Sequence, residues 1–530
     1  MTPHVSRERA TSDSEEHRNT SAASAVGDRL TKKVKVSSNG SQEVPLRPQS
    51  LSCPEGNRYD GRSPSTAALE TTIPDKVAAR SSSDSVEHTN MRNQSLTVTL
   101  GASERSKYPP GPLHGLPTSH SDVAYLNLEE ACLLRHFTQN LAQWFDASDR
   151  DRHFALHVPE RAMFCPVLRY AVYTASAGHL NRLASCGKSL ETLGIPEEVQ
   201  SLLSPETAIR YHDICISYLF EISHDPEEEY NEDVLTAATI LRFYEQIEAP
   251  SLGDSEAYLN AIQFNVNTQQ DESFYAWFKI HGPSRDINVH ACPSVSLRHS
   301  AALSALRQEI WSAFLHQREF RLPVSPANDY TMCDPVNDYI WTNRILVWVA
   351  DLLLFCFGDN HRWSAEERFQ RWSKLKTVEE RWKEAKPAPY KPIHYRDREP
   401  TVGKHFPEIW HMNGCQVAGA QHIELGRILL AVSDPRRASR LGLGALSRDK
   451  AVVQELQDCT RRLCGLAVSN PPCPAALVTA MVGISICGEY FTDPGEQSAL
   501  IRLLEGLEWD YAWPTASTIN ALQTAWGSST

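Results

Sequence analysis

Leu133, Phe137, Leu141 and Trp144 recur at i, i+4, i+8 and i+11, which sets them along one face of a helix that should end near Asp146. Such a face requires partner helices. Cys165 to Leu180 reads as a second helix, apolar nearly all round, with Ala171, Ala175, Ala177 and Gly178 small enough for close approach. Asn231 and Asp233 are placed to cap a third, whose Val234, Ala237, Ala238, Leu241 and Ile247 share the core side while Arg242 and Glu245 pair on the exposed side. Leu303, Leu306, Ile310 and Phe314 repeat the signal in a helix that ends near His316, and Trp341 to Phe357 is the most apolar segment and is expected at the centre.

Pro387, Pro389, Pro392 and Pro400 then mark an extended connection. After it, Trp410 to Ala431, Ala451 to Ala467, Ala475 to Cys487 and Gln497 to Leu507 predict helices, and Trp513 to Trp526 closes the chain. No hairpin turn joins alternating runs, and no fixed period repeats. The pattern predicts an all-α fold, one large helical domain of antiparallel packed helices over 119–530.

Residues 1–118 are different. Ser, Thr, Pro and charged residues dominate, all 12 Trp and 16 Phe lie after Ser121, and Tyr59 and Tyr108 are the segment's aromatics. So little apolar surface cannot offset the entropy of ordering, which predicts a disordered Ser/Thr/Pro-rich tail. The alternating Leu96, Val98 and Leu100 read as extended linker, and Ser63-Pro64 as an ordinary dipeptide of the tail.

Charge sharpens the division. The tail holds 15 Lys+Arg against 13 Asp+Glu, leaving 37 against 52 beyond residue 120, so the helical part carries a net charge of -15. Phosphate binding rests on clustered positive charge, and direct DNA binding by this part is therefore not expected. Thirteen cysteines, an odd number scattered from Cys53 to Cys487, fit a reducing compartment. The N-terminus lacks the apolar core of a secretory signal, and the apolar run Ile345 to Phe357, broken by Asp351, is shorter than the ~18 residues of a bilayer span.

Candidate chemistry is sparse. HExxH, GxSxG and GxxxxGK[ST] patterns do not occur, and the acids Asp225, Glu227, Glu228 and Glu229 share one solvated run. His411 and Cys415 are spaced i, i+4 on a predicted helix with His422 two turns on, but buried packing is the expected role. Cys459, Cys464, Cys473 and Cys487 read as small core residues, Gly442-Leu443-Gly444 as a turn, and Arg436, Arg437, Arg440 and Arg448 as flanking an interhelical loop. No catalytic, cofactor-binding or metal-ligating residue is assigned. Lys32-Lys33-Val34-Lys35 is the compact basic cluster of the tail and is the candidate nuclear-import signal.

Several ordered phrases carry a family resemblance. Ala238-Thr239-Ile240-Leu241-Arg242-Phe243-Tyr244-Glu245, Leu306-Arg307-Gln308-Glu309-Ile310 with His316-Gln317-Arg318, and Trp341-Thr342-Asn343-Arg344-Ile345 come first. Phe406-Pro407-Glu408-Ile409-Trp410 with Gln421-His422, Phe491-Thr492-Asp493 and Ala512-Trp513-Pro514-Thr515 follow in order. Together, from about Tyr125 to Trp526, the chain resembles the regulatory region of fungal binuclear zinc-cluster transcription factors. The resemblance implies a nuclear, non-enzymatic regulator of metabolic or secondary-metabolite genes that works through other transcription factors, the transcription machinery or a small-molecule effector, as a homo- or heterodimer. It departs from the family at the front: six clustered thiolates are needed for two zinc ions sharing two sulfurs, and before Cys132 the sequence offers Cys53 alone. Two rival readings stay open, a DNA-binding factor whose zinc cluster is encoded upstream, and a cytosolic enzyme or ligand-binding protein on a helical scaffold.

Overall fold

The computed structural model describes residues 126–222, 232–248, 258–259, 262, 296–323, 330, 338–359, 363–384, 386, 388–437, 443–471 and 473–527. The tail with Lys32, Lys33 and Lys35, the 63–64 and 96–100 segments and the acidic run 225–229 lie outside the described residues.

Helix α1, Leu128–His136, opens with a capping box: the Asn127 side chain accepts from Glu130 N at 2.8 Å and the Glu130 carboxylate accepts from Asn127 N. It runs on through a π-turn at Phe137–Leu141 into α2, Ala142–Phe145, and a 3-10 turn at Asp146–Ser148. The helical stretch thus ends where the periodicity placed it, with Leu133, Phe137, Leu141 and Trp144 all buried. Next come α3 (His153–Ala162), α4 (Pro166–Ser185), α5 (Glu197–Gln200), α6 (Pro205–Ile222) and α7 (Glu232–Glu248). Helices α8 (Leu297–Leu315), α9 (Asp338–Phe357) and α10 (Ala365–Glu384) follow.

A short ribbon interrupts the helices. Strands β1 (His394–Arg396) and β2 (Glu408–Trp410) pair antiparallel with His394 opposite Trp410, Tyr395 opposite Ile409 and Arg396 opposite Glu408. The chain then forms α11 (Gly414–Val432), α12 (Leu443–Ser469), α13 (Pro474–Cys487), α14 (Pro494–Tyr511) and α15 (Ala516–Ala525). In the first half α4 packs on α6 and α7; in the second, α9 packs on α11, and α11, α12 and α13 pack on one another. Helix α8 joins the halves, touching α7 on one side and α9 and α13 on the other. The fold is all-α apart from the ribbon.

Several boundaries differ from the sequence reading for local reasons. Trp410 lies in β2, not in a helix, and α11 starts only at Gly414 because the Asn413 side chain accepts from Gln416 N and caps it there. Asp233 sits inside the first turn of α7 and pairs with Arg161 at 2.8 Å instead of capping, and Asn231 lies outside the described residues. Leu443 and Gly444 begin α12 and form no turn. Helix α9 is 20 residues long, since Asp338 to Arg344 extend the apolar run, and by length and composition alone it would cross a bilayer; yet 67% of its most apolar 18-residue window is buried inside the body.

The close seating of α9 on α11 gives a first prediction. A Cβ at Gly426 would lie 2.2 Å from Cζ3 of Trp348, a ring that is fully buried and donates Nε1–H to Leu375 O at 3.1 Å. The ring cannot yield without losing that bond, so Gly426→Ala is expected to lower stability by about 1–3 kcal/mol. Gly506 on α14 faces open space, and Gly506→Ala should instead stabilise by ~0.5–1 kcal/mol. Thermal melts of the two variants check the opposite signs.

Candidate effector cleft

Helix α8 is buried around nearly its whole circumference, so three consecutive polar residues, Arg307, Gln308 and Glu309, must find partners inside the protein. Arg307 donates Nη2–H to the carbonyls of Trp144 (2.8 Å) and Phe145 (2.9 Å) and Nη1–H to Ser148 Oγ, and so satisfies the open carbonyl end of α2. Burial pulls its pKa below the usual arginine value. Gln308 donates to Thr239 O of α7 at 3.2 Å.

Glu309 is fully buried and forms the centre of a charge network. Its carboxylate accepts from Arg242 Nη2 at 2.6 Å, from Arg318 Nη1 at 2.6 Å and Nη2 at 3.1 Å, and from the Arg321 backbone N–H at 3.0 Å. Arg242 was expected on the exposed side of its helix, and that placement is overturned: it is 1% exposed. Helix α7 lies between α4 and α8 and is buried from Asp233 to Phe243, leaving position 242 no exposed side.

Beside this network a cleft of about 820 Å³ opens between α7, the end of α8, α13 and α15. Trp311, Leu315, Met481, Trp513 and Leu522 supply apolar walls, and Arg242, Gln246, Ser485 and Thr518 supply polar ones. Trp513 is the fixed element. It stacks on Trp144 at 5.5 Å, meets Trp311 edge-on at 6.3 Å and lies 6.0 Å from Phe243. Ala512 before it turns the chain in the left-handed region (φ 53) and offers its carbonyl to Arg182 Nε at 2.9 Å. Thr515 after it donates to Glu508 Oε2 at 2.8 Å. A 3.2 Å contact between the hydroxyls of Ser485 and Thr518, and the bond from Trp526 Nε1–H to Gly488 O, hold α15 as the outer wall.

The residues singled out earlier lie apart from this cleft. His411 precedes α11 and donates its backbone N–H to Asn470; Cys415 bonds Thr342; His422 donates Nδ1–H to Ala418 O at 2.7 Å. Burial lowers both histidines to about 4. The i, i+4 helical spacing of His411 and Cys415 does not exist, because the helix starts after His411. Among the described residues no three His, Cys, Asp or Glu side chains converge on a metal position. Cys459, Cys464, Cys473 and Cys487 are buried free thiols, and burial pushes their pKa values up, Cys487 to about 12. Arg436 pairs with Asp434 at 2.7 Å and lies over the Trp372 ring, which makes it a local structural residue; Arg440 and Gly442 lie outside the described residues.

With this geometry in view, comparison with known proteins gives a distant relative. Over 496 residues the chain is 23% identical to the transcription activator AMTR1 of Alternaria alternata. The alignment takes in 75% of this chain and spans 63% of the activator's length. No protein-family profile matches the chain, and no solved structure does. The similarity is to a fungal transcription activator, not to an enzyme.

The phrases that carried the family resemblance also meet in space: Arg242, Glu309 and Arg318, one from each of three phrases, form the buried network, and Trp513 of a fourth backs the cleft. The sequence pattern had given Glu309 and Arg318 no role of their own. The signal that would have exposed them is the run of three polar residues inside a helix whose other positions, Leu303, Leu306, Ile310, Trp311 and Phe314, leave no face for water.

Proposed function

We propose that this protein is a fungal transcriptional regulator acting in the nucleus, and that the cleft beside Arg242 and Trp513 receives a small-molecule effector. The similarity to a transcription activator over three-quarters of the chain supports the regulatory reading and is the observation that carries it. The cleft supports the effector: it lies between helices, is walled by fixed indoles, and has a few polar groups at its rim, the usual make-up of a small-molecule site. Occupancy would bridge α7 and α8 to α13 and α15 and favour one arrangement of these helices. The regulated genes would be metabolic or secondary-metabolite genes, and the output would pass through contacts with other transcription factors or the transcription machinery, since the acidic body is unsuited to phosphate.

Two measurements test this. Tagged full-length protein is expected to accumulate in the nucleus, and replacement of Lys32, Lys33 and Lys35 by alanine to leave it in the cytosol. Fused to an unrelated DNA-binding module, the chain should alter reporter transcription. Cytosolic residence of the unaltered protein together with an inert fusion would refute the proposal, and tight, site-specific duplex binding by the isolated chain at physiological salt would replace contact-mediated control by direct DNA reading.

A further inference from the structure

The β1–β2 ribbon is held far more firmly than its length requires. Asn470 Nδ2 donates to Ile409 O at 2.8 Å, Asn470 Oδ1 accepts from His411 N, and Ser469 Oγ accepts from Ile409 N. Arg398 reaches Glu496 Oε1 at 2.5 Å, and Arg461 clamps the same carboxylate with bonds of 2.7 and 2.9 Å. Near the C-terminal end of α12, a Cβ at Gly465 would stand 2.3 Å from Pro407 O, so a glycine is what lets the chain entering β2 lie directly on the helix.

What is held so firmly is an exposed apolar surface. Ile393, Tyr395, Val402, Trp410, Met412 and Val468 are all exposed here. Along one side runs an open groove of about 640 Å³. One wall is the segment from Gly403 to Pro407 followed by Glu408 and Trp410, two alternate residues of β2; the other is Val468 with Ala499 and Leu503 of α14. Alternation on the wall matches the period of an extended chain.

The charges at the rim select the occupant. The Glu408 carboxylate is taken up by Arg396, with His394 nearby, whereas Lys404 and Arg502 are exposed and have no carboxylate partner among the described residues. An apolar groove whose rim bears two cations without a carboxylate partner is matched best by an acidic occupant.

We infer that this groove docks an extended segment of a partner protein in which acidic residues alternate with aromatic ones. The aromatic side chains fill the space between Trp410 and Leu503, and the carboxylates meet Lys404 and Arg502. The ribbon is fixed beforehand, so little ordering of this protein opposes binding. The inference stands apart from the effector cleft, which uses different residues.

The test titrates full-length protein into a fluorescein-labelled synthetic peptide of Asp-Phe repeats and follows anisotropy, with a Lys-Phe peptide as control. Saturable binding of the Asp-Phe peptide alone is expected, weakening as salt is raised. Trp410→Ala, and separately Lys404→Glu with Arg502→Glu, should each weaken it by about tenfold or more, the effect of losing one anchor. All three positions are exposed, and unchanged melting curves establish that the variants fold. Equal binding of the Lys-Phe peptide, or indifference to these substitutions, overturns the inference. So does self-association that Trp410→Ala abolishes, which would make a second copy the occupant.

Discussion

Glu309→Ala is expected to destabilise the helical body by about 3–5 kcal/mol, the range for breaking a buried ion pair by removing one partner. The cause is what remains behind. Arg242, 1% exposed, and Arg318 would lose the carboxylate they share, and Arg321 N–H its acceptor. Glu309→Gln should recover little, because its amide nitrogen would turn a donor toward guanidinium donors. The double substitution Arg242→Met with Glu309→Leu should be milder than Glu309→Ala, since it removes the fully buried cation with its partner and leaves only Arg318, whose side chain is 15% exposed, and the Arg321 N–H without the carboxylate. Equilibrium urea unfolding separates these cases, and a Glu309→Ala loss under about 0.5 kcal/mol would mean that the network contributes little.

How much of this was legible beforehand follows from which force shapes each part. Burial of apolar faces announces itself in sequence, which is why the run from Leu133 to Trp144, the all-round apolar segment that became α4 and the central α9 were read correctly in kind. Helix α10 has few apolar residues; it is held on one side by Trp372, Leu375 and Trp382, and its other faces are charged, so periodicity gave no warning of it. The ribbon was hidden for another reason. Its three-residue strands are fixed by Ser469 and Asn470, some 60 residues further along, and strand propensity at that length carries almost no information.

The candidate site was less legible than the fold. Leu241 was correctly placed in the core, but a helix surface that faces solvent in isolation becomes interior once α7 lies between α4 and α8, and Arg242, expected on the exposed side, is buried there. Trp513 to Trp526 was read as the closing segment, and within it α15 runs from Ala516 to Ala525. The role of Trp513 as a cleft wall depends on Trp144 and Trp311, residues distant in sequence.

Acidification should destabilise this protein steeply between about pH 6.5 and pH 4, and buried histidines are the reason. Burial holds His179, His299, His411 and His422 at about 4, and lowers His136 and His212 as well. The His136–His179 contact shows why the neutral form is required. His179 Nε2–H donates to Tyr511 O, so its Nδ1 accepts from His136 Nε2–H at 3.0 Å, and His136 Nδ1 in turn accepts from Asn140. A proton added to either ring would face a donor. Folded pKa values below the unfolded value of about 6.5 mean that the unfolded chain binds more protons in this window, so stability is full above it and falls as pH falls. Each group carried from 6.5 to 4 contributes up to ~3 kcal/mol of loss. Three groups oppose this, one of them Glu248, whose carboxyl is raised by burial. Asp146, raised by burial to about 7, and His153, whose pKa the Asp149 carboxylate raises against its burial, both favour the folded state as pH falls. Six lowered histidines outweigh them, giving a net loss of several kcal/mol by about pH 5, comparable with the whole stability of an ordinary domain. Urea midpoints measured from about pH 7 to about pH 4.5 should drop throughout, with His179→Leu flattening the slope; midpoints that stay level or rise would show that these histidines titrate normally in the folded protein.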